Sequence, residues 1–371
     1  VTASGALPDS SLPFVGGWFV LLGYEAACFI ETRLQLPPSP HALPDAIAVR
    51  CPAVVIVDRE LQLTHLLSEH DPLQVQAMQA DLAGIRSAPP AEPAPVLTVE
   101  EEPAQRYLDG CQRVLDYLVA GDSFQINLSR TWRAQLKPGT QPAALYRRLR
   151  DSNPAPFSGL AQFSSGAVLS SSPERLISID KDRVETRPIA GTRPRGASSD
   201  EDAALKAQLV GNLKERAEHV MLIDLERNDL GRVCVPGSVE VSELMTVESY
   251  AHVHHIVSNV RGRLRPDVGV GEAIAAVFPG GTITGCPKLR AMEIIAELEA
   301  VGRGPYTGAM GYISRHGKTD LNILIRSLVV EGDTVSFRTG AGVVADSVPE
   351  LELAETRTKA RGLLRALGAE G

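Results

Sequence analysis

Two pairs of glutamates share one spacing in segments that we predict to be helical. Glu215 and Glu218 lie three residues apart, and Glu352 and Glu355 repeat that interval near the end of the chain. Residues at positions i and i+3 lie on one helix face, so each helix presents two carboxylates together. If the helices converge, their oxygens suit a hard cation such as Mg²⁺. Solvated helix faces have the same spacing, and spacing alone favours that interpretation.

A glycine-rich segment, residues 278–288, directly precedes another predicted helix. Backbone amides of a glycine loop at a helix N-terminus attract anions, and Pro287 is compatible with a first helical turn. We therefore expect a bound carboxylate or phosphate, with Thr282 and Lys288 as additional donors. The spacing differs from that of a nucleotide-binding P-loop, and a tight turn would need the same glycines.

Two further segments could bring groups close to a ligand at strand ends. Glu174 follows Pro173 where a strand begins, and burial there would raise its pKa toward that of a general acid. Gly340, Ala341 and Gly342 end another predicted strand, where small residues let a ligand approach the backbone. An exposed glutamate and a β-bulge are the simpler interpretations.

Three of the eight histidines cluster at His252, His254 and His255. No further ligand lies at a spacing typical of zinc sites. One acid or base acting near neutral pH is therefore the better functional interpretation, and structural histidines are the default.

The composition excludes several classes of protein. The 371 residues are 44% apolar, and 37 basic against 45 acidic side chains give a net charge of −8. Without a basic stripe we expect no nucleic-acid partner, and no apolar run reaches the roughly 20 residues that cross a membrane. Five scattered cysteines fit a reducing cytoplasm. No leader-like segment argues for secretion. Because the chain begins with Val1 rather than Met, we expect the natural N-terminus to lie upstream.

Helices and strands that must position these residues follow from the apolar periodicity. Helices are predicted over 72–85, 101–120, 143–151, 199–224, 273–277, 287–300 and 349–367. Strands are predicted over 14–24, 124–128, 159–163, 167–171, 176–179, 309–313, 321–330 and 334–338. Their irregular order favours an α+β fold of mixed, mainly antiparallel sheets packed with helices. The proline-rich residues 87–95 read as a connector between an N-terminal portion, 1–95, and one complex catalytic domain, 96–371.

Taken together, these segments resemble the chorismate-utilising enzymes, the family of anthranilate synthase component I, aminodeoxychorismate synthase component I, and the isochorismate and salicylate synthases. The match covers residues 99–367. Its most specific pieces are RPIAGTRPRG at 187–196, IDLERNDLGR at 223–232 and the glycine-rich loop. The resemblance implies that residues 96–371 bind chorismate.

The resemblance also implies roles for individual residues. Glu218 and Glu355 would ligate a Mg²⁺ ion that holds one carboxylate of chorismate, with Glu215 and Glu352 beside them or binding metal waters. Glu174 matches the general acid for the C4 hydroxyl. The remaining matches are His255 near the substrate ring, Thr282 and Lys288 as catalytic loop residues, Tyr306 and Arg326 at the other carboxylate, and Gly191, Thr192, Gly340, Ala341 and Gly342 in the pocket wall.

Pro287 and Lys288, which follow the glycine-rich loop, resemble the ammonia-using members of the family more than those that use water. The segments GGTITG at 280–285 and NILIR at 322–326 resemble aminodeoxychorismate synthase more than anthranilate synthase. The resemblance therefore favours aminodeoxychorismate synthase, which makes 4-amino-4-deoxychorismate on the folate route with ammonia from a glutamine amidotransferase subunit. Many such synthases have a lysine where this chain has Ala190, and alanine cannot form a covalent intermediate. Either free ammonia attacks the ring, or the chain is an anthranilate synthase of the tryptophan route. A catalytically silent subunit that binds the glutaminase or tryptophan is a further alternative.

Residues 153–158, NPAPFS, resemble a segment that lines a tryptophan pocket in these synthases. The resemblance therefore makes Pro156, Phe157 and Ser158 candidates for tryptophan contact.

Overall fold

The computed structural model describes residues 11–69, 71–85, 95–250 and 253–369. Helices and strands alternate irregularly, which confirms the predicted α+β class. The helices are α1 Ala27–Ile30, α2 Pro72–Gly84, α3 Ala104–Val119, α4 Pro142–Ser152, α5 Ser199–Gly211, α6 Leu213–Gly231, α7 Val270–Val277, α8 Lys288–Glu299 and α9 Pro349–Leu367. No helix in these ranges is both long and apolar enough to cross a membrane.

The strands are largely collected in two sheets. They are β1 Gly17–Leu22, β2 Ala46–Cys51, β3 Ala53–Asp58, β4 Leu63–Ser68, β5 Val96–Glu101, β6 Gln125–Leu136, β7 Phe157–Phe163, β8 Gly166–Ser172, β9 Arg175–Asp180, β10 Arg183–Arg187, β11 Ile189–Pro194, β12 Glu240–Ser249, β13 Val253–Arg263, β14 Gly285–Cys286, β15 Ala309–Ser314, β16 Thr319–Ile323, β17 Ser327–Glu331 and β18 Thr334–Val343.

In sheet I the strand order is β12, β13, β10, β9, β16, β15, β1 and β2, and β11 also pairs with β13. In sheet II the strand order is β6, β18, β17, β8 and β7, and β14 and β5 each pair with β6. Strands β3 and β4 form a separate hairpin. The strand pairs within the described ranges are antiparallel, as the sequence predicts.

Two neighbouring segments pass from one sheet to the other. The chain leaves sheet II after β8 and enters sheet I at β9, whereas β16 of sheet I leads into β17 of sheet II. The two crossings lie side by side, because the N–H of Ile323 donates to the carbonyl of Glu174 at 3.0 Å and the N–H of Ser171 donates to the carbonyl of Arg326 at 3.1 Å. This arrangement places Glu174 and Arg326 at the junction of the sheets.

Each sheet is covered by helices through a continuous apolar core. Helices α6 and α7 pack on sheet I through Ile223 and Ile274, and α4 and α9 pack on sheet II through Leu149 and Leu363. Fully burying one such side chain contributes about 1.5–3 kcal/mol. The helices that carry the predicted glutamates, α6 and α9, are therefore fixed on different sheets.

Two predicted elements were wrong because each is interrupted. The helix predicted over 199–224 is divided into α5 and α6 at Asn212, whose side-chain oxygen accepts a hydrogen bond from the N–H of Glu215 at 3.2 Å and so begins a new helix. The strand predicted over 321–330 is divided into β16 and β17, since Arg326 has a φ of +52° at the sheet crossing.

Strand β1 comes from the predicted N-terminal portion, yet it lies inside sheet I between β2 and β15. Most of the proline-rich connector, residues 86–94, lies outside the described residues. The division of the chain at residue 95 stays a prediction.

Candidate active site

Glu174 lies at the sheet junction and is almost completely buried. Its Oε1 accepts a hydrogen bond from the N–H of Ile189 at 3.4 Å. Burial outweighs this hydrogen bond and raises the pKa of Glu174 to about 8. The carboxyl is therefore protonated at neutral pH, which is the state that a general acid requires.

His255 of β13 is paired with Thr192 of β11, and its Nδ1 lies 2.9 Å from Thr192 Oγ1. Burial, together with the nearby charge of Arg326, lowers the pKa of His255 to about 4. The imidazole is thus uncharged at neutral pH. It can accept or donate a hydrogen bond there without bringing a positive charge.

The neighbouring Gly191 has a φ of +74°, a conformation that side chains rarely adopt. A Cβ atom at this position would also lie 2.6 Å from Glu215 Oε2. The bulge that Gly191 makes in β11 therefore brings the backbone directly against the first glutamate of α6.

The glycines at the end of β18 are approached closely by polar side chains. A Cβ atom on Gly340 would lie 2.7 Å from Asn127 Oδ1 and 2.9 Å from the Tyr306 hydroxyl oxygen. Strand β18 continues in regular register with β6 to Val343, so the alternative of a β-bulge at the glycines does not apply. The small residues leave room for groups from neighbouring elements.

Gly342 is also approached closely by polar side chains, here from β6 and α6. A Cβ atom there would lie 2.5 Å from Gln125 Nε2 and 3.1 Å from Glu218 Oε1. Gln125 and Asn127 share one face of β6 and are buried, and among the described residues neither amide oxygen has a hydrogen-bond partner. Two hydrogen-bond acceptors therefore lie along the glycine segment.

Two cations border the same segment. Lys359 Nζ on α9 donates to the carbonyl of Gly340 at 2.9 Å and lies 2.7 Å from Glu355 Oε1. Arg326 is close enough to Tyr306 and Glu355 for both to raise its pKa, although burial lowers it by more. A guanidinium stays charged despite such a shift, so the segment is suited to an anionic group.

Glu218 lies close to the glycine segment of β18, whereas Glu355 is exposed on α9 and is linked to that segment through Lys359. Glu218 approaches Gly342 from α6, and Glu355 approaches Gly340 from α9 through Lys359. No group of three or more potential metal-ligating side chains is present in the described ranges. Two carboxylates would leave the other coordination positions to water and to an anionic substrate, which is the usual way in which proteins hold Mg²⁺. Whether Glu218 and Glu355 share a Mg²⁺ ion stays a prediction.

The first glutamate of each pair has different neighbours. Glu215 Oε1 lies 2.7 Å from Arg193 Nη1. Glu352 is buried in α9, where its charge acts on Tyr107 and Cys111 of α3. Whether these two carboxylates assist a metal stays a prediction.

Lys288 is bound by groups outside the glycine segment. Its Nζ lies 2.6 Å from Asp229 Oδ2 and 3.1 Å from the carbonyl oxygen of Val277. It lines a cavity of about 750 Å³ whose walls include neither Glu174 nor His255. Its predicted catalytic role therefore remains without support from a contact to either residue.

Of the other clustered histidines, His252 lies outside the described residues. His254 is fully buried and lies 2.8 Å from Asp202 Oδ1 and 2.9 Å from Ser249 Oγ. It connects α5 to sheet I, which is the structural role expected by default.

A family model described as chorismate binding enzyme matches residues 3–365. The chain belongs to this family. Anthranilate synthase component 1 of Thermus thermophilus is 42% identical over 96% of this chain and 78% of its own length. Aminodeoxychorismate synthase component 1 of Bacillus subtilis is 39% identical over 95% of this chain and 77% of its own length. The crystal structure of anthranilate synthase component I from Streptococcus pneumoniae has a TM-score of 0.86 and 33% identity over 96% of this chain and 82% of that chain.

The resemblance seen in the sequence motifs is thus confirmed, and the chain is a chorismate-utilising enzyme. Its tryptophan-pocket candidates are partly exposed: Pro156 is exposed and Phe157 is half-buried. The guanidinium of Arg175 lies over the Phe157 ring, 5.2 Å from the ring centroid. Ser158 Oγ donates a hydrogen bond to the carbonyl of Ala155 at 2.9 Å. Tryptophan binding by this chorismate-utilising enzyme stays a prediction.

Sequence reasoning missed three side chains that border the glycine segment of this enzyme. Lys359 follows Glu355 by four residues on α9, a spacing that is equally typical of ion pairs on exposed helix surfaces. Gln125 and Asn127 alternate with the buried Ile126 in β6. The period-two pattern was sufficient to identify the strand, but not to reveal that its polar face is buried as well.

Proposed function

We propose that this enzyme aminates chorismate with ammonia, in a Mg²⁺-dependent reaction that gives 4-amino-4-deoxychorismate. The observation that carries the proposal is Glu174, a buried carboxyl that is protonated at neutral pH. Hydroxide leaves carbon poorly unless it receives a proton in the transition state. The proton of Glu174 would join the leaving C4 hydroxyl to form water as the new C–N bond forms.

The charges around the glycine segment support binding of a substrate with two carboxylates. Arg326, Lys359 and the Tyr306 hydroxyl would bind one carboxylate of chorismate. Glu218 and Glu355 would hold the Mg²⁺ ion beside the other, where the bound ion supplies Lewis-acid stabilisation of developing negative charge. His255 would remain an uncharged hydrogen-bonding neighbour of the ring.

The uncharged hydrogen-bond acceptors on β6 are well suited to binding ammonia. The unpaired amide oxygens of Gln125 and Asn127 would accept N–H groups of the nucleophile and leave its lone pair available. We expect a glutamine amidotransferase subunit to supply the ammonia, because the sequence contains no evident glutaminase motif. Chorismate and ammonia would then give the aminated ring and water.

Anthranilate is the second candidate product, and one residue favours it. Ala190 is buried beside Gly191 and has no nucleophilic atom, so no covalent intermediate can form there. Relatives named as anthranilate and as aminodeoxychorismate synthases are similarly close to this chain. Departure of the C4 hydroxyl with the proton of Glu174 is shared. The two routes differ in the ring carbon that receives nitrogen, which is C4 for 4-amino-4-deoxychorismate and C2 for anthranilate, and in the anthranilate route pyruvate is then lost to form the aromatic ring.

Product identification tests the proposal. The enzyme is incubated with chorismate, Mg²⁺ and ammonium chloride at mildly alkaline pH, and products are separated and identified by mass. We expect consumption of chorismate that stops when EDTA removes the metal or ammonium is left out. Formation of fluorescent anthranilate without an added lyase would contradict 4-amino-4-deoxychorismate as the product and support anthranilate. Unchanged chorismate under all conditions would contradict both and support a silent subunit.

A further inference from the structure

Arg303 carries a buried guanidinium to which the proposed reaction assigns no role. It follows the end of α8 and is 2% exposed. Its Nε and Nη2 donate to Glu299 at 3.1 and 2.7 Å, and its Nη1 donates to the hydroxyl of Thr307 at 3.3 Å. Nη1 and Nη2 each donate once more, to the carbonyl oxygens of Ile283 at 3.0 Å and of Asn127 at 2.7 Å. The five N–H groups of the guanidinium therefore all have acceptors.

The two carbonyl groups belong to segments that border the proposed pocket. Ile283 lies in the glycine-rich loop, and Asn127 lies in β6 with its amide along the glycine segment. The N–H of Asn127 donates to the carbonyl of Thr284 at 2.8 Å, and its Nδ2 donates to the carbonyl of Thr282 at 3.4 Å. Arg303 therefore joins the loop to β6 at the residue whose amide oxygen we propose as an acceptor for ammonia.

Tyr306 is also supported by Arg303. The N–H of Tyr306 donates to the carbonyl of Arg303 at 3.3 Å, and the guanidinium carbon lies 5.6 Å from the centroid of the tyrosine ring. The hydroxyl of Tyr306 reaches the glycine segment at Gly340. Displacement of Arg303 would therefore move Tyr306 together with Asn127.

The main chain of Arg303 is held by a buried carboxylate that follows β1. Glu25 is 5% exposed, and its two oxygens accept hydrogen bonds from the N–H groups of Arg303 at 2.6 Å and Gly304 at 2.9 Å. The guanidinium carbon of Arg303 also lies 4.9 Å from the centroid of the Tyr24 ring. The main chain and the side chain of Arg303 are thus fixed by two different carboxylates, Glu25 and Glu299.

We propose that Arg303 is a positioning residue, which sets Asn127, Tyr306 and the glycine-rich loop relative to one another. The inference rests on the proposed function, in which Asn127 accepts an N–H group of ammonia and Tyr306 binds a carboxylate of chorismate. A guanidinium suits this role because its planar fork donates in fixed directions, whereas an ammonium is a compact point charge on a flexible stem. Loss of the fork should therefore weaken the binding of both substrates.

Arg303→Lys removes the fork but keeps a positive charge beside Glu299. Chorismate consumption is measured with Mg²⁺ at one pH, against free ammonia with saturating chorismate and against chorismate with saturating ammonia. We expect KM for ammonia and KM for chorismate each to rise at least about fivefold, because misplaced binding groups reduce the affinity for substrates. The Mg²⁺ concentration that gives half-maximal activity should stay the same, since the proposed ligands Glu218 and Glu355 lie on α6 and α9, which carry none of the acceptors described for Arg303.

The matched control is Arg338→Lys. Arg338 is also buried and donates to Glu299 at 2.6 Å, and its Nε donates to the hydroxyl of Ser129 at 3.0 Å instead of to the loop. Both variants should therefore lower the temperature of the thermal transition, whereas Arg338→Lys should keep the wild-type KM values. A residue that acts only through stability changes the amount of folded enzyme and leaves KM unchanged.

Glu25→Gln provides the second test if Arg303→Lys does not fold, as judged by its thermal transition. The amide has one acceptor oxygen, so the N–H of Arg303 or of Gly304 loses its partner while the side chains of the pocket stay as they are. Losing one hydrogen bond that holds Arg303 should raise both KM values by about threefold.

The outcomes distinguish this inference from the proposed function. A wild-type enzyme that consumes no chorismate with ammonium would overturn both. An active wild type in which Arg303→Lys has the same two KM values as Arg338→Lys would overturn only the role assigned to Arg303. Wild-type KM values in Glu25→Gln would do the same where Arg303→Lys fails to fold.

Discussion

Burial shifts the pKa values of Glu174 and His255 in opposite directions. The carboxyl of Glu174 is raised to about 8 and the imidazole of His255 is lowered to about 4. Removing a group from water disfavours its charged form, which is the anion for glutamate and the cation for histidine. Both side chains are therefore uncharged near neutral pH, in a region where the fixed charges belong to Glu218, Glu355, Arg326 and Lys359.

Replacing Glu174 by glutamine tests the acid directly. The amide has nearly the same shape but no acidic proton, so we expect kcat to fall by about 10²–10⁴ while KM for chorismate changes little. At a constant concentration of free ammonia, wild-type activity should decline as pH rises through about 8, since Glu174 then ionises. Steady-state kinetics from pH 6 to 9.5 measure both effects. Glu350→Gln, at an exposed position of α9, is the control, and equal losses in the two variants would contradict the assignment.

Gly342 tests the close approach between β18 and α6. An alanine Cβ would lie 3.1 Å from Glu218 Oε1 and 2.5 Å from Gln125 Nε2, so one of these side chains has to move. We expect Gly342→Ala to weaken Mg²⁺ activation at least about tenfold, because the displaced carboxylate is a proposed ligand. Activity is titrated against free Mg²⁺.

The control for Gly342→Ala is Gly84→Ala in α2. No atom lies within 4 Å of the added methyl group there, and a helical alanine is favoured over glycine by about 0.5–1 kcal/mol. This variant should keep the wild-type Mg²⁺ dependence. A Mg²⁺ titration of Gly342→Ala that is identical to that of the wild type would contradict the assignment of Glu218 as a metal ligand.

At the scale of elements, the C-terminal end of α8 is joined to β6 and β18 by a buried carboxylate. Glu299 Oε1 accepts from the N–H and hydroxyl of Ser129 at 2.9 and 2.8 Å. Arg303 lies 2.7 Å from Glu299 Oε1 and Arg338 lies 2.6 Å from Oε2. Burial by itself would raise the pKa of Glu299, but the two arginines lower it. The carboxylate holds α8, which follows the glycine-rich loop, against sheet II.

Removing this carboxylate should destabilise the fold. Glu299→Ala leaves two buried guanidinium groups without their partner, and such a change costs about 3–5 kcal/mol. Glu297→Ala on the same helix removes an exposed pair with Arg113 and should cost less than about 1 kcal/mol. Urea unfolding measures the free energy of unfolding of each variant. Similar values for the two would contradict the importance of the buried cluster.

The same cluster predicts a pH dependence. A carboxyl whose pKa is lowered on folding contributes stability above its unfolded pKa, which is about 4.3, and loses it as pH falls through the folded value. The difference in free energy of unfolding between wild type and Glu299→Ala should therefore narrow below about pH 4. A constant difference from pH 7 to 3 would be inconsistent with an ionised Glu299.

At the scale of the whole molecule, the N-terminal strand belongs to the larger sheet. Strand β1 pairs with β15 from Gly17–Ser314 to Leu22–Ala309, and Val20 and Tyr24 lie in the core of sheet I. A chain that begins at Val96 would lack these side chains and expose the edge of β15. We expect it not to fold alone, as judged by circular dichroism and size-exclusion chromatography beside the full chain. A cooperative melting transition of residues 96–371 would show that they form an independent domain.

The sequence by itself determined the class of fold, the family and the position of the proposed acid. Helices and strands follow from apolar periodicity, because side chains repeat every 3.6 residues in a helix and every two in a strand. Family motifs depend on residue type and order, so IDLERNDLGR and the glycine-rich loop could be read directly. Glu174 was found in this way, since its motif specifies a carboxyl after proline at a strand start.

Only the tertiary structure decided which charged groups meet. Lys359 borders the glycine segment and Lys288 does not, although both are lysines near motif residues. Their environments depend on contacts between elements far apart in the chain, such as α9 with β18 and α8 with α6. Electrostatic energy and burial depend on distances in space, and spacing along the chain specifies those distances only within one helix or strand.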